Sequence, residues 1–548
     1  MDLGLRLTTA ACVAALPILP LGARLIDLQI LRHGSLQSRA QSEFERVAQE
    51  AVPRADILDR DGRPLAVSVP CWTVFADKAM IKDPGAFAAR LSPLISMPAA
   101  DIAGKIRAAS RFAKLKVGLD LAQASAVRAA RLSGAGLAPS QRRVYPNGDL
   151  AIGVLGKVGA DGRGLAGLEL ALDARLRGTP RRLEILRDGA GRSIYQSVAD
   201  DGSTPAPVRL TIDRDAQYLA ESALAAGGRA GRFKGGAIAV EDPRDGELLA
   251  LASWPSTPLR EPLVQDAYEP GSTFKIVTAL AALDAGLVRP DETFFGEHGR
   301  YEVSPGVVIT DHEGQGDMTL AQILEKSSNI GISKVVARVG ATRFYRMARL
   351  LGFSTRTGAG LPGETSGEVR PVSELTKVAL ASSSFGYGVQ VSPLQVVGAY
   401  SAVANGGTLW EPKLLLDGQP PQAVRRVAAP EAVRSLAAML EGVVERGTGT
   451  RAQIPGYRVA GKTGTARRID PRTHRYSTTD YNASFVGFFP ASDPRWTILV
   501  VLNSPRGSYY GGSTAAPIFA DLARALLSRA GAAPDAPQPP AAALVSRR

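Results

Sequence analysis

The sequence predicts an α+β protein: an antiparallel five-stranded sheet flanked by helices, following an N-terminal domain and a single N-terminal transmembrane helix. Strand-like segments lie on both sides of a long helical region. Two occur in "GGAIAVEDPRDGELLALASWP" and three in "GYRVAGKTG", "NASFVGFFP" and "WTILVVLN". Alternating or continuous apolar residues bounded by turn residues are typical of strands. We therefore expect distant parts of the chain to meet in one sheet.

The length of 548 residues favours two or three domains. A stretch of small residues and proline, "VADDGSTPAPV" at 198–208, indicates a boundary. We divide the chain into a cytoplasmic tip (1–6), a membrane anchor (7–26), an N-terminal domain (27–205), a second domain (206–530) and a tail (531–548). The tail is rich in proline and alanine, which predicts disorder.

The membrane anchor is predicted from an uncharged run between Arg6 and Arg24. At 1.5 Å per residue it spans roughly 26 Å, close to the hydrocarbon core of a bilayer, and the two apolar residues after Arg24 can extend it. A cleaved signal peptide is the alternative. No clear Ala-x-Ala site precedes a polar start, and the helical rhythm continues. We therefore expect an uncleaved anchor with most of the protein outside the cytoplasm.

Composition argues against several classes of protein. The net charge is +13, but no run of five or six basic residues concentrates it, so we expect a solvated surface and no nucleic-acid partner. The cysteines and histidines are too scattered for a disulfide framework or a zinc site: Cys12, Cys71, His33, His298, His312 and His474. A glycine-rich phosphate loop is also absent from the sequence. We expect no metal and no cofactor.

Local patterns predict the elements that lead to the candidate site. Residues 25–50 follow an amphipathic helical rhythm that ends before Pro53. The segment 54–77 alternates around an Asp-Gly turn, as a hairpin does, and alanine- and leucine-rich stretches between 80 and 140 favour helices. In the second domain, Asp213 is placed to cap a helix after a short strand.

The stretch "YEPGSTFKIVTALAALDAG" (268–286) predicts a buried helix that begins near Ser272. Ser272 and Lys275 have the S-x-x-K spacing, which puts both side chains on one helical face. A serine hydroxyl needs a nearby base to act as a nucleophile, and a lysine is a base only when it is neutral. The positive end of the helix dipole lowers the lysine pKa by less than about one unit, so burial and a second cation must lower it further.

The sequence offers that cation in Lys462, followed by Thr463, Gly464 and Thr465. A lysine and hydroxyls on a strand beside Ser272 would hold a substrate carboxylate, and Gly464 permits a close backbone approach. A third element, Ser327-Ser328-Asn329, follows the helical pattern "TLAQILEK". Ser327 could relay a proton to a leaving amine, and Asn329 could hold a substrate amide or Lys275.

Each motif alone is usually a cap or a turn. The three together, in this order and context, resemble the penicillin-recognising serine acyltransferases. "RADILDRDGRPLAVS", "RVYPNGDLAIGVLG", "GLAGLELALDARLRG", "SSNIGISKVVARVG", "FGYGVQVSPLQVVGAYSAVANGG" and "VAGKTGTA" extend the likeness over nearly the whole chain. The chain resembles the class B penicillin-binding proteins, especially their cell-division (septal) branch.

The resemblance implies a single-pass protein of the bacterial inner membrane, with an elongated pedestal domain and a periplasmic D,D-transpeptidase domain of the serine β-lactamase-like fold. By the family pattern, Ser272 attacks the penultimate D-Ala carbonyl and Lys275 accepts its proton. Lys462, Thr463 and Thr465 hold the terminal carboxylate of the peptide or of a β-lactam. Backbone N–H groups of Ser272 and Thr465 form the oxyanion hole. Expected partners are peptidoglycan stem peptides on lipid-linked precursor strands, a glycosyltransferase and other division proteins.

Several alternatives remain open from the sequence. A Ser-His-Asp hydrolase would need a serine for Asp311 and His312, and no G-x-S-x-G elbow is present. A β-lactamase or carboxypeptidase shares the motifs but passes the acyl group to water. An elongation-specific transpeptidase and a non-catalytic β-lactam-binding scaffold or sensor also fit the sequence.

Overall fold

The structure is a computed structural model that describes residues 3–16, 18–37, 45–50, 52–187, 193–470 and 472–536. Within it the chain forms two compact units. The smaller unit comprises Met1–Ala55, Ser68–Arg142 and Arg177–Pro205. The larger unit comprises Asp56–Val67, Arg143–Leu176 and Ala206–Arg548. Each unit is therefore built from segments that are distant in the sequence.

The α-helices, numbered in chain order, are α1 (Leu3–Ala15), α2 (Ile18–Ile26), α3 (Pro84–Ile95), α4 (Ala99–Ala108), α5 (Leu121–Ala129), α6 (Ile152–Leu155), α7 (Gly167–Ala171), α8 (Asp173–Arg177), α9 (Arg214–Arg229), α10 (Pro262–Gln265), α11 (Lys275–Asp284), α12 (Leu320–Glu325), α13 (Asn329–Val339), α14 (Ala341–Leu350), α15 (Lys377–Ser384), α16 (Pro393–Ala404), α17 (Pro430–Glu445) and α18 (Gly511–Ala530). Short 3-10 turns cover Lys78–Met80, Gly271–Phe274, Val372–Glu374 and Thr450–Ala452, and a π-helical turn covers Asp27–Leu31.

The strands are β1 (Glu45–Glu50), β2 (Ile57–Leu58), β3 (Pro64–Asp77), β4 (Phe112–Leu119), β5 (Ala135–Val144), β6 (Lys157–Val158), β7 (Gly164–Ala166), β8 (Arg181–Arg187), β9 (Ser193–Asp200), β10 (Val208–Arg209), β11 (Gly235–Glu241), β12 (Leu248–Trp254), β13 (Thr293–Phe295), β14 (Arg300–Ser304), β15 (Val307–Thr310), β16 (Asp317–Thr319), β17 (Thr408–Trp410), β18 (Ala423–Arg426), β19 (Ala460–Ile469), β20 (Tyr476–Phe489) and β21 (Trp496–Asn503).

The N-terminal segment contains α1 and α2, with Pro17 between them outside the described residues. Among the helices that the structure describes, none combines the length and the apolar character needed to cross a membrane. Arg24 and Arg32 both pair with Asp27 at the end of this segment, at 2.7 and 3.0 Å.

The amphipathic helix predicted over 25–50 is wrong at its C-terminal end. Residues Glu45–Glu50 form β1, which pairs antiparallel with β8 in the register Glu45 to Leu186. The partner strand lies more than a hundred residues away, so a local helical rhythm could not reveal it. Residues 38–44 of the predicted helix lie outside the described residues.

The hairpin predicted over 54–77 and the helices predicted between 80 and 140 are confirmed. β2 and β3 are antiparallel around the Asp-Gly turn, with Ile57 opposite Ala66. In the smaller unit, β3 pairs with β4, and α3, α4 and α5 pack on these strands around one apolar cluster. Asp83 caps α3 and Asp120 caps α5 through side-chain bonds to backbone N–H groups.

The predicted five-stranded sheet is confirmed in the larger unit. Its strand order is β12-β11-β21-β20-β19, and all neighbours are antiparallel. The side chains of β11, β12 and β21 are almost all buried. Continuous apolar strands of this kind need cover on both faces. α9 packs on β11 and β12, α18 packs on β19, β20 and β21, and α16 packs on β11, β20 and β21.

Capping and close packing fix the elements around this sheet. Asp213 accepts hydrogen bonds from the backbone N–H groups of Asp215 and Ala216, so α9 begins where the sequence predicts. The strand predicted from 456 begins four residues later, at Ala460, because Tyr457 closes an isolated bridge with Ile454.

After α18, Asp535 accepts a hydrogen bond from the backbone N–H of Arg458 at 2.7 Å. The rest of the predicted tail, from 537, lies outside the described residues.

Two buried polar features of the larger unit are energetically important. Arg143 and Glu169 form an ion pair at 2.6 Å, with side chains 5% and 0% exposed. Glu241, at the end of β11, is 2% exposed, and its Oε2 has no hydrogen-bond partner among the described residues. Burial, together with Asp242 and Asp245, raises the pKa of Glu241 to about 8.

Candidate active site

Ser272 lies in the 3-10 turn Gly271–Phe274, and α11 begins at Lys275. The predicted helix is therefore present, but its first turn is tighter than an α-helical turn. Gly271 has a φ of +57° and lies against the Thr465 carbonyl, where a Cβ would approach the oxygen to 2.8 Å. Glycine is required there because the left-handed conformation and the short approach both exclude a side chain. This packing fixes the Ser272 turn on β19.

Lys275 and Lys462 converge on Ser327. Lys275 Nζ donates to the Ser327 carbonyl at 2.5 Å and lies 3.1 Å from Ser327 Oγ, while Lys462 Nζ lies 2.9 Å from the same Oγ. Both lysines are 0% exposed. The structure thus brings together residues from three separate motifs. No hydrogen bond between Lys275 and Ser272 is found in the described part of the chain.

The electrostatics of this cluster favour a neutral lysine. Burial lowers the pKa of Lys275, and the nearby charge of Lys462 lowers it further. The charge of Asp311 acts in the opposite direction, but the pKa of Lys275 still lies well below the usual lysine range. Burial also lowers the pKa of Lys462, to about 7. The helix dipole alone is too weak to lower the pKa of Lys275 this far. The structure supplies the burial and the second cation that the sequence analysis required. Lys275 is therefore suited to accept a proton.

The Ser327-Ser328-Asn329 element follows α12, as predicted. Ser327 has a φ of +57°, which turns its hydroxyl and carbonyl toward the two lysines. Ser328 caps α13 by accepting a hydrogen bond from the backbone N–H of Gly331. The Asn329 amide donates to the Thr310 carbonyl at 3.2 Å. The expected contact of Asn329 with Lys275 is not among the described hydrogen bonds, and contact with a substrate amide stays a prediction.

Asp311 is a positioning residue that the sequence did not reveal. Its carboxylate accepts hydrogen bonds from the Ser328 hydroxyl and from the backbone N–H groups of Asn329 and Ile330. A carboxylate at a helix N-terminus is favoured by the exposed N–H groups and the dipole. Asp311 lies 18 residues before Asn329, so no short motif links them. A serine does bond to Asp311, but His312 contacts Tyr510, so the three do not form a Ser-His-Asp triad.

β19 provides the other wall of the site. Thr463 Oγ1 lies 2.8 Å from Thr448 Oγ1, and Thr465 Oγ1 accepts the backbone N–H of Gly511 at 3.2 Å. Both hydroxyls are thus held in place. Gly464 packs against the Ser272 turn, because a Cβ there would lie 2.9 Å from Thr273 Cγ2 and 2.3 Å from Ser484 Oγ. The Pro270 carbonyl oxygen would lie 3.0 Å from the same Cβ, so the close approach at Gly464 is made by neighbouring segments of the same chain.

These elements enclose a cleft of about 570 Å³. Its lining includes five of the predicted site residues, Ser272, Ser327, Asn329, Thr463 and Thr465. The other three, Lys275, Lys462 and Gly464, are not among the lining residues. His312 Nδ1 lies 3.3 Å from the hydroxyl of Tyr510 on the rim of the cleft. The volume lies within the range of small-ligand sites.

The site combines a serine in a tight turn, a buried lysine of lowered pKa, a second buried lysine and an edge strand that carries hydroxyls. This combination is typical of serine acyltransferases of the S-x-x-K type. Sequence comparison agrees with this class. Residues 236–524 match the penicillin binding protein transpeptidase domain, and residues 49–210 match the penicillin-binding protein dimerisation domain. The chain belongs to the class B penicillin-binding proteins, as the sequence motifs predicted.

Curated relatives align over almost the full chain. The peptidoglycan D,D-transpeptidase FtsI of Escherichia coli is 32% identical over 533 residues, covering 94% of this chain and 90% of the relative. Stage V sporulation protein D of Bacillus subtilis is 31% identical over 563 residues, covering 96% and 86%.

Solved structures show the same fold. Penicillin binding protein 3 of Mycobacterium tuberculosis, in complex with ampicillin, superposes with a TM-score of 0.70 at 29% identity, covering 90% of this chain and 99% of that chain. A peptidoglycan synthetase of Bifidobacterium adolescentis gives a TM-score of 0.72 at 25% identity, covering 91% and 99%.

Proposed function

We propose that the protein is a serine D,D-transpeptidase that cross-links peptidoglycan stem peptides in septal wall synthesis and is acylated by β-lactams. One observation carries the proposal: Lys275 is fully buried beside Lys462 and shares Ser327 with it. This arrangement supplies a lysine of lowered pKa three residues after Ser272, and a serine nucleophile requires such a base. The names of the relatives support the substrate class.

In the first half-reaction, Ser272 Oγ bonds to the carbonyl carbon of the penultimate D-Ala and Lys275 accepts the hydroxyl proton. The peptide bond then breaks, and Ser327, which contacts both lysines, relays the proton taken up by Lys275 to the leaving amine of the terminal D-Ala, so that Lys275 is neutral again. Lys462, Thr463 and Thr465 hold the terminal carboxylate. An amine of a second stem peptide attacks the ester, forms the cross-link and restores Ser272.

Reaction with penicillin tests the proposal. We expect a stable adduct on Ser272, located by intact-mass measurement and peptide mapping, and no adduct in Ser272→Ala. An unreactive wild-type chain, or an adduct that persists in Ser272→Ala, would refute the assignment. The lifetime of the adduct separates a transferase from a β-lactamase, because turnover within seconds indicates hydrolysis. Growth supported by Ser272→Ala would favour the non-catalytic scaffold.

The septal role is proposed from the likeness to FtsI, with an elongation-specific enzyme as the alternative. Depletion in cells distinguishes them, since filaments indicate septation and rounded cells indicate elongation. A glycosyltransferase and other division proteins are the proposed partners.

We also propose a single-pass anchor at 7–26 in the inner membrane, with the catalytic domain in the periplasm. The uncharged run that begins at Leu7 supports it. Membrane fractionation and protease digestion of spheroplasts test this proposal. A chain that leaves the membrane in high salt, or that stays protected in spheroplasts, would contradict it.

A further inference from the structure

An ion pair in the Ser272 cleft has no part in the reaction described so far. Arg446 Nη2 donates to Glu325 Oε1 at 2.6 Å, and both residues line the cleft. Arg446 Nη1 also donates to the exposed carboxylate of Glu445 at 2.9 Å. Exposed ion pairs contribute little to stability, but the side chain of Glu325 is only 8% exposed. A buried carboxylate depends on its partner, so the contact between Glu325 and Arg446 is a fixed feature of the cleft.

The two helices that lead to this pair approach closely because glycine lies where they meet. Glu325 ends α12, and Arg446 directly follows α17. A Cβ at Gly442 would lie 2.5 Å from Glu325 Oε1, and a Cβ at Gly447 would lie 2.6 Å from the Glu325 carbonyl oxygen. That carbonyl accepts a hydrogen bond from the backbone N–H of Thr448 at 3.0 Å. Side-chain and backbone contacts thus join the ends of α12 and α17.

Each of these helix ends continues into a residue that supports the site. Ser327 comes two residues after Glu325, and both buried lysines contact its hydroxyl oxygen. Thr448 comes two residues after Arg446, and its hydroxyl oxygen lies 2.8 Å from that of Thr463. A displacement of about 1 Å at a catalytic group can slow a reaction roughly a hundredfold. The ion pair is therefore placed to set the separation between the Ser327 side and the Thr448 side of the cleft.

We propose that Glu325 and Arg446 are positioning residues of the acylation reaction. Their ion pair holds the ends of α12 and α17 at the separation at which Ser327 protonates the leaving nitrogen while Thr463 holds the substrate carboxylate. Neither Glu325 nor Arg446 exchanges a proton with the substrate. The inference rests on the proposed function, because the roles of Ser327 and Thr463 are taken from it.

Two single variants and their combination test the pair in the full-length chain. Arg446→Met removes the guanidinium, and Glu325→Met removes the carboxylate from a nearly buried position. We expect each to slow acylation by penicillin about tenfold, which is the effect of losing one charge-assisted hydrogen bond. The double variant should be no slower than the slower single variant, because all three variants lose the same interaction.

The leaving group separates positioning from a general loss of structure. When Ser272 opens penicillin, the amide C–N bond breaks and the nitrogen takes a proton through Ser327. N-benzoyl-D-alanyl-thioglycolate offers a terminal carboxylate too, but its C–S bond releases a thiolate that needs no proton, and Lys275 then loses its proton to solvent. The ratio of the penicillin rate to the thioester rate should therefore fall about fivefold in the variants. A merely structural role would lower both rates by the same factor.

Arg434→Met is the matched control. Arg434 lies on α17, pairs with Glu431 at 2.9 Å and is outside the cleft lining, so this variant should react at the wild-type rate. Arg446→Lys keeps a cation near Glu325 and should recover most of the rate that Arg446→Met loses. Melting temperature and the stoichiometry of bound penicillin report whether each variant is folded. If Arg446→Met does not fold, Glu325→Met and Arg446→Lys still decide the question, because neither leaves the carboxylate of Glu325 unpaired.

Wild-type rates of penicillin acylation in the folded methionine variants overturn the inference. Equal losses with penicillin and with the thioester also overturn it, as do additive losses in the double variant, which would mean that Glu325 and Arg446 act separately. If penicillin does not acylate the wild-type chain, the proposed function fails and this inference fails with it. The wild-type reaction therefore distinguishes the two failures.

Discussion

Lys275 and Lys462 both reach the hydroxyl oxygen of Ser327, at 3.1 and 2.9 Å, although 187 residues separate them in the sequence. Two buried ammonium groups this close disfavour double protonation. The protonation state of one lysine therefore depends on the other, and this dependence can be measured.

Replacing Lys462 should change the pH dependence of acylation. In the proposed reaction neutral Lys275 is the base, so the acylation rate should rise as pH passes through the pKa of Lys275. Lys462→Met removes a cation that lowers this pKa, so the rise should move to higher pH. The second-order rate of labelling by a fluorescent penicillin, measured against pH, checks this. A rise at the same or a lower pH would show that the two lysines are not coupled.

Asp311→Asn should move the same profile in the opposite direction. The charge of Asp311 raises the pKa of Lys275, so its removal lets Lys275 lose its proton at lower pH. Loss of the bonds to Ser328 and Asn329 should also slow the maximal rate. A purely structural role would lower the rate and leave the pH of the rise unchanged, so the pH profile separates the two effects.

Thr448→Val should slow acylation about fivefold, which corresponds to roughly 1 kcal/mol for one hydrogen bond. The reason is that Thr448 Oγ1 lies 2.8 Å from Thr463 Oγ1, one of the groups proposed to hold the substrate carboxylate. Thr448→Ser retains the hydroxyl and should restore most of the rate. A valine variant that acylates as fast as the wild type would show that the Thr448 hydroxyl does not support the site.

Arg143→Met should destabilise the protein by about 3–5 kcal/mol, because it leaves the carboxylate of Glu169 buried with its ion pair broken. Chemical denaturation followed by circular dichroism measures the loss. The double variant Arg143→Met/Glu169→Leu should recover much of it, because the uncompensated charge is then gone. A double variant as unstable as the single one would attribute the loss to packing.

Glu241→Gln should stabilise the protein at neutral and alkaline pH. The carboxyl is protonated in the folded state up to about pH 8 but ionises near its usual pKa when unfolded. The free energy of unfolding of the wild type therefore falls as pH rises between these two pKa values and is level above the higher one. A tenfold difference between the two acid dissociation constants corresponds to about 1.4 kcal/mol of stability. The glutamine variant should lose this dependence when unfolding is measured across that range, and an unchanged slope would contradict the assignment.

The sequence predicted the features that depend on local pattern. The order of the Ser272, Ser327 and Lys462 motifs, the sheet made of distant strands and the Asp213 cap all follow from spacing and residue type. The burial that lowers the lysine pKa was deduced as a requirement of the chemistry, and the structure supplies it.

The features that the sequence did not reveal depend on distant partners. Glu45–Glu50 has helical rhythm but pairs with β8, and this pairing overrides the local preference. The 3-10 turn at Ser272 results from packing of Gly271 on Thr465. Asp311 reaches Ser328 only because the β14–β15 hairpin and α13 pack together, a contact that no motif records.

The strand order of the central sheet has a consequence for biogenesis. β11 and β12 are made early, but their neighbour β21 and the lysine strand β19 are made some two hundred residues later. A nascent chain that has already exposed Ser272 therefore has no base of lowered pKa, because Lys462 has not been synthesised. Such long-range pairing slows folding. We also expect it to leave the Ser272 hydroxyl unreactive until the whole domain has been synthesised.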